Sequence, residues 1–277
     1  GMLPRRKPHS HKGTYGKVLL IAGSLQMSGA PRLCAQAILR AGAGLLTCMI
    51  PEGIHAIVAS AVPEAMFRPW PMDDNGQFAL DALPDETWLR SFDLIVVGNG
   101  MGRGPSTRAI VQRVLDSGIP CILDGDALFE TGKHALLPAQ REQTVIVTPH
   151  LRELEYLSGV PLAQISADPR QSAAMLASRY PYLCVVAKDD LTWIMQGERQ
   201  SVNIIGNDGL AKGGSGDVLC GIIAGLYAQG RQAYESACTG VYLHALSACM
   251  LAEGCDTMSI LPHELSECLG KACAKLR

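Results

Sequence analysis

Five short apolar runs, each stopped by glycine, proline or an acidic residue and most followed by a helical stretch, constrain this chain more than any other feature. They lie at residues 17–23, 45–50, 92–98, 120–124 and 144–148. Runs without polar alternation read as strands covered on both faces, the pattern of parallel pairing. Helical character fills much of the chain between and after them, at 30–41, 54–61, 105–116, 153–157 and 170–179, with Pro105 well placed for a first turn. Pro63 and the Trp70-Pro71 pair break this rhythm. The texture then changes. Three strand-like runs at 183–187, 191–195 and 201–205 are joined by links too short for crossover helices, so at least some of them pair antiparallel. Residues 217–228 place Leu219, Ile222, Ile223 and Leu226 at i, i+3, i+4 and i+7, a helical stripe, and 233–253 and 263–275 complete a helical tail. No repeat or low-complexity linker divides the chain. The expected architecture is α/β: one three-layer αβα sandwich domain over residues 1–277, its central sheet mostly parallel with an antiparallel edge. Ligands then belong outside the carboxyl ends of the strands.

Composition narrows the function classes. In 277 residues, 24 Lys and Arg face 26 Asp and Glu, a formal charge of −2, which excludes a broadly basic nucleic-acid binder. A hydrophobic fraction of 48% excludes disorder. Of ten cysteines, Cys34, Cys121, Cys184, Cys220, Cys238 and Cys249 sit in apolar runs, where a thiol behaves as a small hydrophobe. No CxxC pair or His at ligand spacing indicates zinc, so reduced thiols and a cytoplasmic location are expected. The basic start is followed by no apolar segment, and the apolar stretch near 218–228 is too short to span a membrane. Residues 1–11 read as a flexible tail, with Gly1 ahead of Met2 a remnant of expression. Its Arg5, Arg6 and Lys7, with Lys12, form either a solvated end or a cationic arm beside an anionic ligand.

The segment with most chemistry in it is 207–219, in which Gly209, Gly213, Gly214 and Gly216 lead into an apolar helix. Glycines let several amides converge, and a helix start adds unpaired donors, so the segment is suited to phosphate. It is not a Walker A loop. Asp217 has two readings, a helix cap or a catalytic base facing the acceptor hydroxyl of a transferred phosphoryl group. Lys188, before Asp189, Asp190, Leu191 and Thr192, either supplies charge to phosphate or is a surface lysine paired with its acidic neighbours. Gly98-Asn99-Gly100-Met101-Gly102 follows a strand without matching the dinucleotide fingerprint. Asp124-Gly125-Asp126 either meets a ribose, metal or water, or caps a helix at Ala127. In 148–153, Glu153 lies one turn beyond His150, so both can face one cleft, and Glu153 can help hold hydrated Mg2+ against phosphates. His244, in an apolar helix, reads as a core histidine.

Taken in order, Gly23-Ser24, Gly42-Ala43-Gly44-Leu45, Gly98 to Gly102, Asp124 to Leu128, Thr148-Pro149-His150 with Glu153, and Gly213 to Leu219 resemble the ADP-dependent NAD(P)H-hydrate dehydratase family of the ribokinase-like superfamily. The match runs from about Lys12 to the last helix. The resemblance implies repair of NADHX and NADPHX by phosphorylation of the hydrate hydroxyl at the expense of ADP, or ATP, followed by elimination of phosphate. It puts Ala43, Gly102, His150 and Asp217 around the hydrate. It puts Lys188, Asp189, Asp190, Leu191, Thr192 and Gly216 around the nucleotide, with the Gly213, Gly214 and Ser215 loop beside them. Asp217 would activate the hydroxyl, the Ser215 and Gly216 amides would hold transferring oxygens, and Mg2+ would accompany the nucleotide. The resemblance also implies a closed homo-oligomer, often a tetramer, and a stand-alone form without the epimerase domain many bacterial members carry. The alternative is an ATP-dependent small-molecule kinase of the same superfamily, acting on a vitamin precursor or sugar; no nucleic-acid or membrane partner is expected.

Overall fold

The computed structural model describes Leu3, Arg6 and residues 8–277. Its strands are β1 (Lys17–Ile21), β2 (Leu45–Pro51), β3 (Met66–Trp70), β4 (Leu94–Val97), β5 (Cys121–Leu123), β6 (Val145–Val147), β7 (Leu183–Ala187), β8 (Thr192–Gln196) and β9 (Arg199–Asn203). They form one sheet in the order β3-β2-β1-β4-β5-β6-β7-β8-β9. Pairing is parallel from β3 through β7, and β7–β8 and β8–β9 are antiparallel. The five apolar runs and the antiparallel edge are therefore where the sequence pattern puts them. Strand β3 was not expected. Its Pro69 lies on the outermost strand, where only one ladder has to be satisfied, so proline is tolerated there.

The helices are α1 (Gly29–Ala41), α2 (His55–Ala61), α3 (Glu86–Leu89), α4 (Pro105–Asp116), α5 (Asp126–Lys133), α6 (Leu151–Ser158), α7 (Leu162–Ala167), α8 (Pro169–Arg179), α9 (Ser215–Tyr227), α10 (Ala233–Ala252) and α11 (Pro262–Lys275). They cover both faces of the sheet. Leu19, Ile21, Ile95 and Val97 face one apolar layer, and Val18, Leu20, Leu94 and Val96 the other. Each run is apolar throughout because both of its faces are buried.

Helix α9 carries more than the expected stripe. Leu219 and Ile223 pack toward the sheet, whereas Val218, Ile222 and Leu226 pack with α11 residues in a third cluster, so the helix is buried on all sides. It lies hard against α1: a Cβ on Gly221 would stand 2.4 Å from the Cys34 carbonyl oxygen, and one on Gly225 2.4 Å from that of Ile38. Two glycines one turn apart thus let the backbones approach and fix where α9 begins.

In the stretch expected to be a loose tail, Leu3 is buried in that third cluster and Arg6 donates to the Gly42 carbonyl while lying over the Tyr15 ring. Residues 1, 2, 4, 5 and 7, with Arg5 and Lys7 of the basic cluster, lie outside the described residues. All ten cysteines are free thiols, and among the described residues no helix is long and apolar enough to cross a membrane.

Candidate active site

The chain spreads from β1 in both directions, since β1 has β2 and β4 as neighbours. A crevice at the carboxyl ends is the consequence of that reversal. The segments after β4, β5, β6 and β7 bring Asn99, Asp124, Thr148 and Lys188 to this edge, and α9 lays its first turn across them.

A single amide joins the groups. Asn99 Nδ2 donates to Asp124 Oδ2 at 2.9 Å and to Asp217 Oδ1 at 2.8 Å. The second oxygen of Asp124 accepts from Thr148 Oγ1 at 2.6 Å and from Lys188 Nζ at 3.1 Å. Lys188 is set in place by its own amide, which donates to the Pro149 carbonyl at 2.8 Å and prolongs the β6–β7 pairing. Burial and the nearby Asp124 charge push Asp217 up to about 7, against the Asn99 hydrogen bond and Lys188, which pull it down. A carboxylate near neutrality is matched to general-base work. The helix-cap reading of Asp217 does not apply: Gly214 is the cap, in left-handed conformation, and no side chain caps the helix.

Around that turn, the Ser215 amide donates to the Lys212 carbonyl and the Val218 amide to that of Gly214. The amides of Gly213, Gly214, Gly216 and Asp217 have no acceptor among the described residues. A Cβ on Gly216 would stand 3.3 Å from Lys188 Nζ, so the ammonium and the helix start adjoin. Together they form a cationic, donor-rich corner suited to phosphoryl oxygens. The expectation that Ser215 contributes its amide is corrected, because that N–H closes the turn. Its buried hydroxyl instead meets His244 Nε2 at 3.2 Å, and burial pushes His244 down to about 4, keeping it neutral.

A cavity of about 640 Å³ opens beside this corner, lined among others by His150, Lys188, Asp189, Asp190, Thr192 and His244. Leu191 is 44% exposed and does not line it. His150 and Glu153 form a reciprocal cap at the start of α6: His150 Nδ1 accepts from the Arg152 and Glu153 amides, each at 3.2 Å, and Glu153 Oε2 accepts from the His150 amide at 2.9 Å. Burial pushes Glu153 up to about 7 and lowers His150. No group of three His, Cys, Asp or Glu side chains is arranged to hold a metal ion by itself among the described residues.

Two expected substrate contacts differ from expectation. Gly102 is at the right edge, but its amide donates to Asp126 Oδ2 at 2.8 Å, so that N–H is not left for a ligand, and its carbonyl already accepts from Thr107 Oγ1 at 2.7 Å. Ala43 is at the wrong edge. It precedes β2, beside Gly42, which lines a separate cavity of about 520 Å³ with Arg6, Arg40, Arg231 and Arg277. The length of a strand separates it from Asp217. Ala30, at the start of α1, and Ala127 pack on the Gly98–Gly102 loop: a Cβ on Gly100 would lie 2.8 Å from that of Ala30, and one on Gly98 2.5 Å from that of Ala127. Asn99 was visible in its motif but had no assigned role; a buried amide between two glycines after a strand was the available signal.

Lys212, just before the glycine loop, bonds to main chain. Its ammonium donates to the carbonyls of Met258 and Ile260 at 2.6 and 2.7 Å and ties the 257–260 turn to the glycine loop.

Relatives match along nearly the whole chain. The family model for NAD(P)H-hydrate dehydratase matches residues 18–271. The ADP-dependent (S)-NAD(P)H-hydrate dehydratase of Bacillus subtilis (strain 168) is 32% identical over 267 residues, 96% of this chain and 92% of that protein. A crystal structure of the ADP/ATP-dependent NAD(P)H-hydrate dehydratase from Bacillus subtilis, co-crystallized with ATP/Mg2+, superposes with a TM-score of 0.88 at 32% identity, covering 99% of this chain and 95% of that one. The bifunctional NAD(P)H-hydrate repair enzyme Nnr of Moorella thermoacetica is 36% identical over 246 residues, 87% of this chain but 46% of that protein. The chain thus spans about half the length of the bifunctional relatives it matches. Ribokinase from Thermotoga maritima, at 15% identity and a TM-score of 0.54, shares the fold. A match over 18–271 takes in every segment that reaches the Asp217 corner, and on it the chain belongs to the NAD(P)H-hydrate dehydratase family.

Proposed function

We propose that this chain dehydrates NADHX and NADPHX to NADH and NADPH, with ADP as phosphoryl donor and AMP and phosphate as the other products. The observation that carries the reading is the half-paired Asp217 carboxylate, set beside Lys188 and the open amides of the α9 start. Hydroxide is a poor leaving group and phosphate a good one. Asp217 takes the proton of the hydrate hydroxyl as its oxygen attacks the terminal phosphorus of ADP, and AMP departs. The ring nitrogen then pushes electrons as the C–O bond to phosphate breaks, which restores the dihydronicotinamide. The Gly216 and Asp217 amides and Lys188 face charge that develops on the transferring oxygens, the placement that most favours such a step. The cavity walled by Lys188, Asp189, Asp190 and Thr192 would take the nucleotide, and His150 would stand toward the hydrate.

Mg2+ would be carried chiefly by the nucleotide phosphates. The donor set fits that arrangement, because Mg2+ in such sites takes one or two carboxylates and completes its shell with phosphate and water. Glu153 would be the protein's contribution. When bound, the ion neutralises charge on the phosphoryl oxygens.

The test is incubation with hydrated NADH and ADP. Return of the reduced-nicotinamide absorbance with AMP and phosphate in equal amounts is expected. A stable phosphorylated product without that return would overturn the reading in favour of a small-molecule kinase.

A further inference from the structure

Asp124 and Asp217 lie on different elements, yet they share one donor group and differ in what else they have. Asp124 has three donors: Thr148 and Lys188 donate to one oxygen and Asn99 to the other. Asp217 receives only the Asn99 amide, on Oδ1, and its Oδ2 has no protein partner among the described residues. The orientation of the Asn99 amide follows from chemistry. An NH2 group between two carboxylates donates to both, whereas a carbonyl there would repel both. The opposite end of the amide, Oδ1, faces the thiol of Cys220 at 3.8 Å, one turn along α9 from Asp217. Asn99 is 1% exposed, and its carbonyl accepts from the Gly23 amide at 2.8 Å, so the group is fixed from the β1 and β4 ends together.

We propose that Asn99 is the positioning residue of this site: its side-chain amide, divided between Asp124 and Asp217, fixes which oxygen of Asp217 is left for the substrate hydroxyl and favours the ionised, proton-accepting form. The inference rests on Asp217 being the base. The charged and titratable groups that act on Asp217 are Asp124 and Asp126 from the β5–α5 connection and Lys188 from the end of β7, with the thiols of Cys34 on α1 and Cys220 on α9 close by. Of the groups that steady the carboxylate form, the Asn99 donor acts through a direct hydrogen bond and Lys188 through charge. Donation to the ionised form lowers the pKa, and its removal raises it.

Two variants read this out. Asn99→Asp keeps the shape and replaces the donor by a third carboxyl; Asn99→Ala removes the donor. The acidic limb of the kcat/KM profile is expected to move alkaline by about one pH unit in Asn99→Ala and further in Asn99→Asp. Rate should recover toward high pH, and the KM for ADP should stay within about threefold. Direct titration of the Asp217 carboxyl by 13C NMR in the nucleotide-free protein, its signal identified by its loss in Asp217→Asn, should show the same displacement. A purely structural role would lower the melting temperature and the rate at every pH with the limb unmoved, and that result overturns the proposal. An unmoved Asp217 titration in a folded variant overturns it as well. Full activity in Asp217→Asn would instead remove the base assignment, while the NMR titration would still measure the hold of Asn99 on Asp217.

Discussion

Two glycine-rich loops stand at the carboxyl edge of the sheet, and they use glycine for opposite ends. In Gly98–Gly104 the missing side chain makes room for protein. A Cβ on Gly98, at φ 122°, would stand 2.0 Å from the Asp124 carbonyl oxygen, and the Gly102 and Gly104 amides already donate to Asp126 and Glu130. At Gly213 and Gly216 the missing side chain leaves space, although Gly214 between them, at φ 98°, is packed against Leu33. Nothing lies within 4 Å of a Cβ on Gly213, only the Lys188 ammonium approaches one on Gly216, and their amides have no acceptor among the described residues. The first loop is packed support around Asn99; the second presents amides that no described residue accepts from. Sequence composition looks the same in both. What distinguishes them is whether the donors are already satisfied, because an amide bonded to a carboxylate is lost to a ligand.

The sharpest break of that comparison is at the carboxylate that follows the second loop. Asp217→Asn keeps an oxygen for Asn99 and removes the base, so phosphoryl transfer should fall about a thousandfold, with ADP affinity in equilibrium titration changed by less than about threefold. Equal loss of both would mean that the residue only shapes the loop. Stability should move the other way. Folding raises the Asp217 pKa to about 7, so the folded state holds the extra proton and stability declines as pH rises from about 4 toward 7. The variant escapes that decline: its melting temperature should exceed the parent's above pH 7 and match it near pH 4.

Next in size is the packed loop. Gly98→Ala has both a left-handed φ and a backbone collision against it, and urea unfolding should show a loss of about 3–5 kcal/mol or no folded protein. A folded, fully active Gly98→Ala would end the claim that this loop is support. Lys188→Met links the two loops: it strands Asp124, so about 2–4 kcal/mol of stability should go, and the KM for ADP should rise at least tenfold. The smallest effect belongs to Gly213→Ala. Its unfolding free energy should stay within about 0.5 kcal/mol, with the KM for ADP up a few-fold from the methyl in that loop. A large stability loss there would show that Gly213 is packed after all.

Much of this was legible before the fold was seen. Runs such as 94–97 and 145–147 are apolar at every position, and only a strand covered on both faces explains that. Strand β3 was not legible, since its apolar residues are interrupted by Arg68 and Pro69 and it is an edge strand with one satisfied ladder. At the site, residue type and loop composition pointed Asp217 and Lys188 toward phosphate chemistry while leaving a cap and a surface lysine as alternatives, and the place of His150 beside the hydrate was implied by the family resemblance. Ala43 was set beside the hydrate by the family resemblance alone, whereas it precedes β2, at the opposite edge of the sheet from Asp217. Which end of the strand it occupies is a matter of chain direction in the sheet. Ser215 was credited with a free amide that the Lys212 carbonyl takes up.

The order of apolar runs and glycine turns by itself determined a mostly parallel sheet with its ligand edge at the carboxyl ends, since burial on both faces and crossover connection are properties of local pattern. Only the tertiary structure decided that Asn99, 118 positions from Asp217 in the chain, would hand one amide to two carboxylates and leave a single oxygen of Asp217 without a partner among the described residues. Hydrogen bonding between distant segments depends on ångström-scale placement, and that placement comes from α9 packed glycine-to-backbone on α1, which no local pattern encodes.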